Sequence, residues 1–318
     1  RYKSLKLGGV SERTVSPTGQ HWKLVDNPWR LAYPNGHLLN NSSVYQLSWV
    51  IDVEEHPDAE PSERFSGLGR FQTCAPPVSA DGIHWRQLAC PGLPSGDEAN
   101  LSYDEVTGTY IATLKEGEMS PRGRSIALAT SRDFEHWTRP RLGFHADEKD
   151  QEFARQVIAE RLANPKLQQP QHNVPAEYMA DVYNMGVSRY EGLYIGMAAF
   201  FYHTANVGDN SDGFHHIQLV CSRDLYNWTR LGDHQPFIGP SEVDSGAYDL
   251  SQIMPPSRPV RINGELWFYY TGAKYRSAPP DADEKKSAVN LATMRRSKSA
   301  IAYRCAIFRL ARWCTASR

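Results

Sequence analysis

The sequence has no long apolar segment, no paired-cysteine motif and no excess of charge of one sign. No apolar run approaches the roughly 20 residues that a helix needs to cross a bilayer, so no membrane-spanning helix is expected. The five cysteines form no C-x-x-C pair, which argues against a disulfide framework or a zinc knuckle. With a formal net charge of -1 and scattered lysine and arginine, the chain is not expected to bind nucleic acid.

One short pattern, Ser-x-Asp-x-x-x-Trp, occurs three times along the 318 residues. Its copies are Ser79, Asp81 and Trp85; Ser131, Asp133 and Trp137; and Ser222, Asp224 and Trp228. A partial fourth copy has Ser16 and Trp22 at the same spacing, with Thr18 in place of the acid. A pattern that recurs at intervals of tens of residues is typical of a repeat architecture.

Each full copy belongs to a longer unit of four predicted strands. A glycine turn leads into an aromatic strand, as in "TGTYIATL" at 107–114 and "EGLYIGMAAF" at 191–200, and an aliphatic strand then precedes the Ser-x-Asp turn. These features are typical of antiparallel strands joined by hairpins. Four such strands per repeat form a β-propeller blade, so the sequence predicts an all-β fold, a five-bladed β-propeller with one inserted helix.

The predicted organisation is a single propeller domain over residues 1–300. It comprises an outer half-blade at 1–22, blades at 26–90, 97–140, 177–232 and 242–300, an inserted helix and loop at 141–176, and an irregular tail at 301–318. The first blade is therefore expected to be incomplete, unless strands at the C-terminus or a preceding segment complete it. The helix is predicted for 147–163, with Phe153 and Val157 among its apolar residues and its charges on a solvated face.

The acid and the tryptophan of the repeated pattern are assigned structural roles. Asp81, Asp133 and Asp224 are expected to cap the backbone of a tight turn. The tryptophans are expected to pack at equivalent outer-strand positions, which are Trp22, Trp85, Trp137 and Trp228.

A second set of acids lies where inner strands should converge on the propeller axis. Asp97 stands 13 residues before Tyr110, and Asp181 stands 13 residues before Tyr194. Glu242, Asp244 and Asp249 precede the next aromatic strand, in the segment "SEVDSGAYDL". We therefore expect Asp97, Asp181 and an acid of the 242–244 pair to form one site.

The phrases "SADGIHW", "TSRDFEHW", "CSRDLYNW" and "GELWFYYTG" resemble the five-bladed propellers of glycoside hydrolase families 32 and 43. The segments "SGDEANLSYDEVTGTYIA" and "DVYNMGVSRYEGLYIG" are similar to family-32-like bacterial proteins. The resemblance implies a glycosidase that cleaves a polysaccharide or oligosaccharide with paired carboxylates. It implies a catalytic set of Asp97, Asp181 and Glu242 or Asp244.

The first blade departs from the family pattern. The family's Asp-Pro signature is replaced by Asp26-Asn27-Pro28, and the segment "LLNNSSV" has amides where acids would serve as nucleophiles. Asn41 and Asn100 are therefore predicted to bind sugar hydroxyls, and Tyr183 is predicted to stack on a sugar face.

No metal or other cofactor is assigned, and a carbohydrate is the expected partner. The segment 203–216 contains His203, Asp209, Asp212 and His215 but matches no standard metal motif. Because the segment is rich in Asp and Asn, binding of a structural calcium ion stays an open alternative. Two alternatives to an enzyme also stay open, a carbohydrate-binding propeller without catalysis and a propeller that serves as an interaction platform.

Overall fold

The computed structural model describes most of the chain between residues 56 and 295. The described ranges are 56–68, 76–82, 84–95, 98–116, 123–207, 210–276 and 286–295, together with the short strands at 2–7, 10–15, 23–26 and 49–51. Among these residues no helix is long and apolar enough to cross a membrane.

The first three sheets lie in the N-terminal half of the chain and are antiparallel. One sheet has three strands, β1 (Tyr2–Leu7), β2 (Val10–Val15) and β3 (Lys23–Asp26). The next has β4 (Trp49–Ile51), β5 (Phe65–Leu68), β6 (Pro77–Ser79) and β7 (Arg86–Gln87). The third has β8 (Ala99–Asp104), β9 (Thr109–Glu116), β10 (Ser125–Ser131) and β11 (Arg141–Phe144).

Two further antiparallel sheets follow the helix. The fourth contains β12 (Met179–Tyr190), β13 (Leu193–Val207), β14 (Asn210–Ser222) and β15 (Trp228–Arg230). The last contains β16 (Gln252–Met254), β17 (Val260–Ile262), β18 (Glu265–Ala273) and β19 (Ser287–Arg295). Here β16 and β17 pair with opposite ends of β18, while β19 pairs with its whole length.

The fold is an all-β β-propeller with one helix, as predicted, but its described residues form four blades and not five. Each of the four is a four-stranded sheet, and the described residues at the predicted extra position form three strands between Tyr2 and Asp26. The count of five rested on the half-blade predicted for 1–22, and the strands described there do not amount to a four-stranded blade. Contacts group the chain into two compact units, Arg1–Leu114 with Leu128–Arg141 and Lys115–Ala127 with Leu142–Arg318. The single domain over 1–300 stays a prediction.

The repeated Ser-x-Asp turn has the same hydrogen bonds in all three copies. In the third copy the Ser222 hydroxyl accepts from the backbone N–H of Asp224 (3.1 Å) and Leu225 (2.9 Å), and the Asp224 carboxylate accepts from the N–H of Asn227 (2.8 Å). The indole N–H of Trp228 then donates to the Leu225 carbonyl oxygen (2.8 Å). The predicted capping role is therefore confirmed for this acid, and these hydrogen bonds hold its pKa below the usual range.

One residue of each turn has a left-handed backbone that favours glycine. The first copy has Gly82 there (φ 69°), whereas the other two have Phe134 (φ 66°) and Leu225 (φ 73°). Such a conformation is unfavourable for a non-glycine residue unless its surroundings fix it. The hydroxyl and carboxylate acceptors fix it here, and both large side chains are buried.

Two of the tryptophans pair with the same residue of the repeated pattern, but they do not lie in equivalent strands. Trp137 and Trp228 each lie opposite the serine of their own turn. Trp228 begins β15, whereas Trp137 forms an isolated bridge and the outer strand of its sheet is β11. Trp22 lies outside the described residues.

The predicted helix is α1 (Glu148–Leu162). It begins at a reciprocal cap in which the Asp147 carboxylate accepts from the N–H of Asp150 (2.9 Å) and the Asp150 carboxylate accepts from the N–H of Asp147 (2.8 Å). Contrary to the expectation of a solvated charged face, Asp150 and Arg161 are buried. Both charged groups have polar partners. Asp150 contacts Arg230 and His234, and Arg161 donates to the Leu250 carbonyl oxygen (2.7 Å).

Replacing the turn serine tests the importance of this motif. Ser222→Ala leaves two backbone N–H groups without their acceptor, so we expect the free energy of unfolding to fall by about 1 to 2 kcal/mol. Urea unfolding measures the change, with Arg223→Ala as the control because Arg223 is an exposed neighbour in the same turn. Equal stabilities of the two variants would contradict a stabilising role for the serine.

Candidate functional site

A buried polar cluster lies where the start of β12 meets the end of β13 and the start of β14. The register places Asp181 opposite Phe201, and Phe201 opposite His215. His203 is two residues beyond Phe201 on β13. The predicted loop at 203–216 is therefore largely two paired strand ends, because β13 and β14 continue to Val207 and from Asn210.

Asp181 is the central acid of this cluster and is only 2% exposed. One carboxylate oxygen, Oδ2, accepts from the backbone N–H of Arg124 (3.1 Å) and from its guanidinium (3.3 Å), and lies 3.0 Å from His203 Nε2. The Arg124 carbonyl oxygen in turn accepts from the N–H of Val182 (3.0 Å). Asp181 is therefore fixed by both the backbone and the side chain of the segment that leads into β10.

Gly123 makes this close approach feasible. It has a left-handed backbone (φ 71°), and a side-chain carbon placed there would lie 2.9 Å from Asp181 Cβ. Any larger residue would have to displace the acid or the Arg124 segment.

The ring of Phe201 lies beneath several of the polar groups. His215 stacks on it with a 4.5 Å separation of ring centroids, and the Arg276 guanidinium carbon lies 4.5 Å from the ring centroid. The Lys115 ammonium lies 4.1 Å from the ring centroid of the neighbouring Tyr183. Tyr183 and Arg276 are only partly buried, whereas Lys115 is buried.

Several buried polar atoms of the cluster have no hydrogen-bond partner within the described part of the chain. They are Asp181 Oδ1, His203 Nδ1 and both ring nitrogens of His215. Because buried polar groups in folded proteins are nearly always satisfied, these atoms indicate a place for water or a ligand.

Two neighbouring histidines on β14 are held neutral. Burial lowers the pKa of His215 well below its ordinary value of 6.5, and the positive charges of Arg276 and Arg124 add to the effect. Burial, together with Arg161, lowers the pKa of His216 to about 3. At neutral pH each imidazole therefore has one N–H donor and one acceptor nitrogen.

The structure does not bring the other described acids of the predicted site to Asp181. Glu242 and Asp244 are exposed, and Asp244 forms an ion pair with Lys166. Asp97 and Asn41 lie outside the described residues. Of the two described substrate-binding candidates, Tyr183 lies in the Asp181 cluster, and Asn100 is buried on β8, which belongs to the other compact unit.

The segment 241–250 does contain a buried acid, Asp249. Asp249 is 2% exposed, its Oδ2 accepts from the Tyr270 hydroxyl (2.6 Å), and its Oδ1 has no partner among the described residues. A side-chain carbon on Gly272 would lie 2.7 Å from Asp249 Cβ, so a strand packs closely against it. Spacing alone could not separate Asp249 from Glu242 and Asp244, because all three precede the same aromatic strand.

A second group of ionisable residues surrounds the N-terminus of α1. Potential ligand atoms of Asp147, Asp150 and His234 lie within 4.8 Å of one another. The Arg230 guanidinium contacts Asp150 (Nε to Oδ2, 3.2 Å), and a hydrogen bond joins Asp150 to His234 Nδ1 (2.6 Å). Because these contacts already supply a positive charge, the group is explained as the anchor of the helix.

The sequence matches no protein-family profile and no curated protein. Among solved structures, it is similar to an N-acetylgalactosamine deacetylase from F. plautii in complex with blood group B trisaccharide, with 12% identity, 90% of this chain and 81% of that chain covered and a TM-score of 0.53. A β-1,2-mannobiose phosphorylase from Listeria innocua is 14% identical, with 92% and 71% covered and a TM-score of 0.43. A Bombyx mori GH32 β-fructofuranosidase is 12% identical, with 79% and 47% covered and a TM-score of 0.41.

The structural neighbours include glycoside hydrolase β-propellers, which confirms the predicted resemblance at that level, while the assignment to families 32 and 43 stays a prediction. At these identities the likeness establishes the fold alone.

The neutral buried histidines predict a pH dependence of stability. Between pH 6.5 and about 3 an unfolded chain binds a proton at His216 that the folded chain does not, so the free energy of unfolding should fall as the pH is lowered through this window. Each such histidine contributes up to about 1.4 kcal/mol per pH unit. His216→Phe should reduce this slope by about one proton in urea unfolding measured from pH 6.5 to 4.

The matched control is His172→Gln, because His172 is exposed. Its slope should equal that of the unmodified chain. An unchanged slope in His216→Phe would show that His216 is protonated in the folded chain.

Proposed function

We propose that this chain is a carbohydrate-processing enzyme of the glycoside hydrolase type, acting on a polysaccharide or oligosaccharide at Asp181. The observation that carries the proposal is a buried carboxylate, anchored through one oxygen, among aromatic rings and two histidines. Asp181 Oδ1, His203 Nδ1 and both His215 ring nitrogens have no partner in the described residues. Aromatic rings suit the apolar face of a sugar, and the polar atoms suit its hydroxyls. The β-propeller neighbours, which include named glycoside hydrolases, support a role in carbohydrate processing.

The chemistry requires two carboxyl groups in different environments on either side of the scissile bond. Asp181 suits the role of nucleophile or base, because Arg124 fixes it through hydrogen bonds from both backbone and side chain. Asp249 is proposed as its partner, since it is equally buried and also has one oxygen without a described partner. Asp97 stays in the proposal as the alternative partner, on the strength of its equal 13-residue spacing from an aromatic strand.

Asp181→Asn tests the assignment. The amide keeps the shape of the side chain but cannot act as a nucleophile or base, so we expect kcat to fall by a factor of roughly 10² to 10⁴. The assay is turnover of aryl glycosides and natural oligosaccharides, after a panel has identified a substrate for the unmodified chain.

Asp244→Asn is the matched control. This acid is exposed and paired with Lys166, so its replacement should leave kcat unchanged. If Asp181→Asn keeps near-normal kcat while Asp244→Asn loses it, the surface acids are the catalytic ones and the assignment to Asp181 is overturned.

A carbohydrate-binding propeller without catalysis is the second candidate. The exposure of Glu242 and Asp244 favours it, because it removes two of the four predicted catalytic acids from the buried cluster. Binding of an oligosaccharide with no turnover anywhere in the panel would support this candidate. Since one structural neighbour is a deacetylase, the panel should also include N-acetylated sugars, with release of acetate as a separate readout.

A further inference from the structure

We propose that the Asp181 site takes an acidic sugar, and that His215, Arg276 and Arg124 bind the sugar carboxylate. This inference rests on the proposed carbohydrate function and specifies its substrate class. It starts from the ring of Phe201, around which these three side chains gather.

The geometry gathers donors around one aromatic ring. The ring centroid of Phe201 lies 4.5 Å from that of His215, 4.5 Å from the Arg276 guanidinium carbon and 5.5 Å from the Arg124 guanidinium carbon. Arginine guanidinium groups match the planar geometry of a carboxylate, with two parallel N–H donors. A carboxylate at the edge of this cluster, beside the partly exposed Arg276, could therefore accept from more than one of them.

The second observation is the unmet donor of His215. This imidazole is 1% exposed, and neither of its ring nitrogens has a partner among the described residues. Its neutral form has one N–H group, which needs an acceptor when it is buried. A ligand oxyanion beside the arginines would supply that acceptor.

The charges around the cluster favour an anion over a neutral group. The arginines that act on His215, Arg276 and Arg124, are both cationic. Lys115 adds a further cation over the ring of Tyr183. The acids that act on Arg276 are Asp212 and Asp181, and Asp181 is already engaged by Arg124.

The aromatic rings favour a sugar acid over a free inorganic anion. Tyr183 and Phe201 lie edge to face with ring centroids 6.3 Å apart, and Tyr183 is partly exposed. The exposed part of the Tyr183 ring suits the apolar face of a pyranose and offers nothing to a free phosphate ion. The same arginine and histidine donors could nevertheless bind phosphate, so the experiment separates the two ligands.

Isothermal titration calorimetry at constant ionic strength tests the inference. The probes are sodium D-glucuronate and D-galacturonate, the neutral sugars D-glucose and D-galactose, and inorganic phosphate. We expect at least one sugar acid to bind about tenfold or more tightly than its neutral counterpart. Arg276→Met should weaken that binding by about 10- to 100-fold, the range expected for loss of a hydrogen bond to a charged group, and Arg276→Lys should weaken it less.

The control variant is Arg155→Met, which removes the same charge from an exposed position on α1 and should bind like the unmodified chain. Equal binding of acidic and neutral sugars, tight binding of phosphate alone, or full binding by Arg276→Met would each overturn the inference. Because binding is measured without turnover, a chain that binds the sugar acid but cleaves nothing supports this inference while contradicting the glycosidase.

Discussion

The buried ion pair of Asp181 and Arg124 is the interaction on which the candidate site depends. Two charges removed from water are strongly destabilising unless they face each other and their remaining polar atoms are satisfied. Here the same acid also binds the Arg124 backbone N–H, and the Arg124 carbonyl oxygen binds the N–H of Val182. The ion pair and the two backbone hydrogen bonds therefore fix the segment before β10 against the start of β12. His203 and Phe201, which follow on the partner strand β13, take their positions from that arrangement.

Local interactions explain why the architecture could be predicted from the sequence. Each Ser-x-Asp turn is closed by atoms within seven residues of chain, so its three copies are readable as a pattern. Helix α1 could be predicted in the same way, because its cap lies between Asp147 and Asp150 and its apolar residues recur at helical spacing. The number of blades could not be predicted in this way. It depended on a partial copy at Ser16 and Trp22, and sequence spacing does not reveal how many strands of a blade actually pair.

Long-range contacts explain what the sequence could not predict at the site. Asp181 was found because its spacing from an aromatic strand places it at the start of a first strand, but its partner Arg124 lies 57 residues away and belongs to no motif. Asp249 and its two exposed neighbours share one segment, and only the packing of Tyr270 and Gly272 decides which acid is buried. The burial of Asp150 and Arg161 on α1 has the same origin, since a charged residue becomes a core residue only through distant partners.

The propeller contains two classes of polar residue: those that recur in every copy of the turn and those that occur once, at the candidate site. The turn serines and acids recur in three sheets with nearly identical bonds, so each contributes to an architecture that no single copy determines. Arg124, His203, His215 and Arg276 have no counterparts in the repeated pattern, yet they gather around the rings of one sheet. If these residues served only the fold, a sheet built like its neighbours would not need them. The two histidines are buried with ring nitrogens that have no partner among the described residues, which is costly in a core, and a bound polar ligand is the simplest physical reason for a fold to retain them.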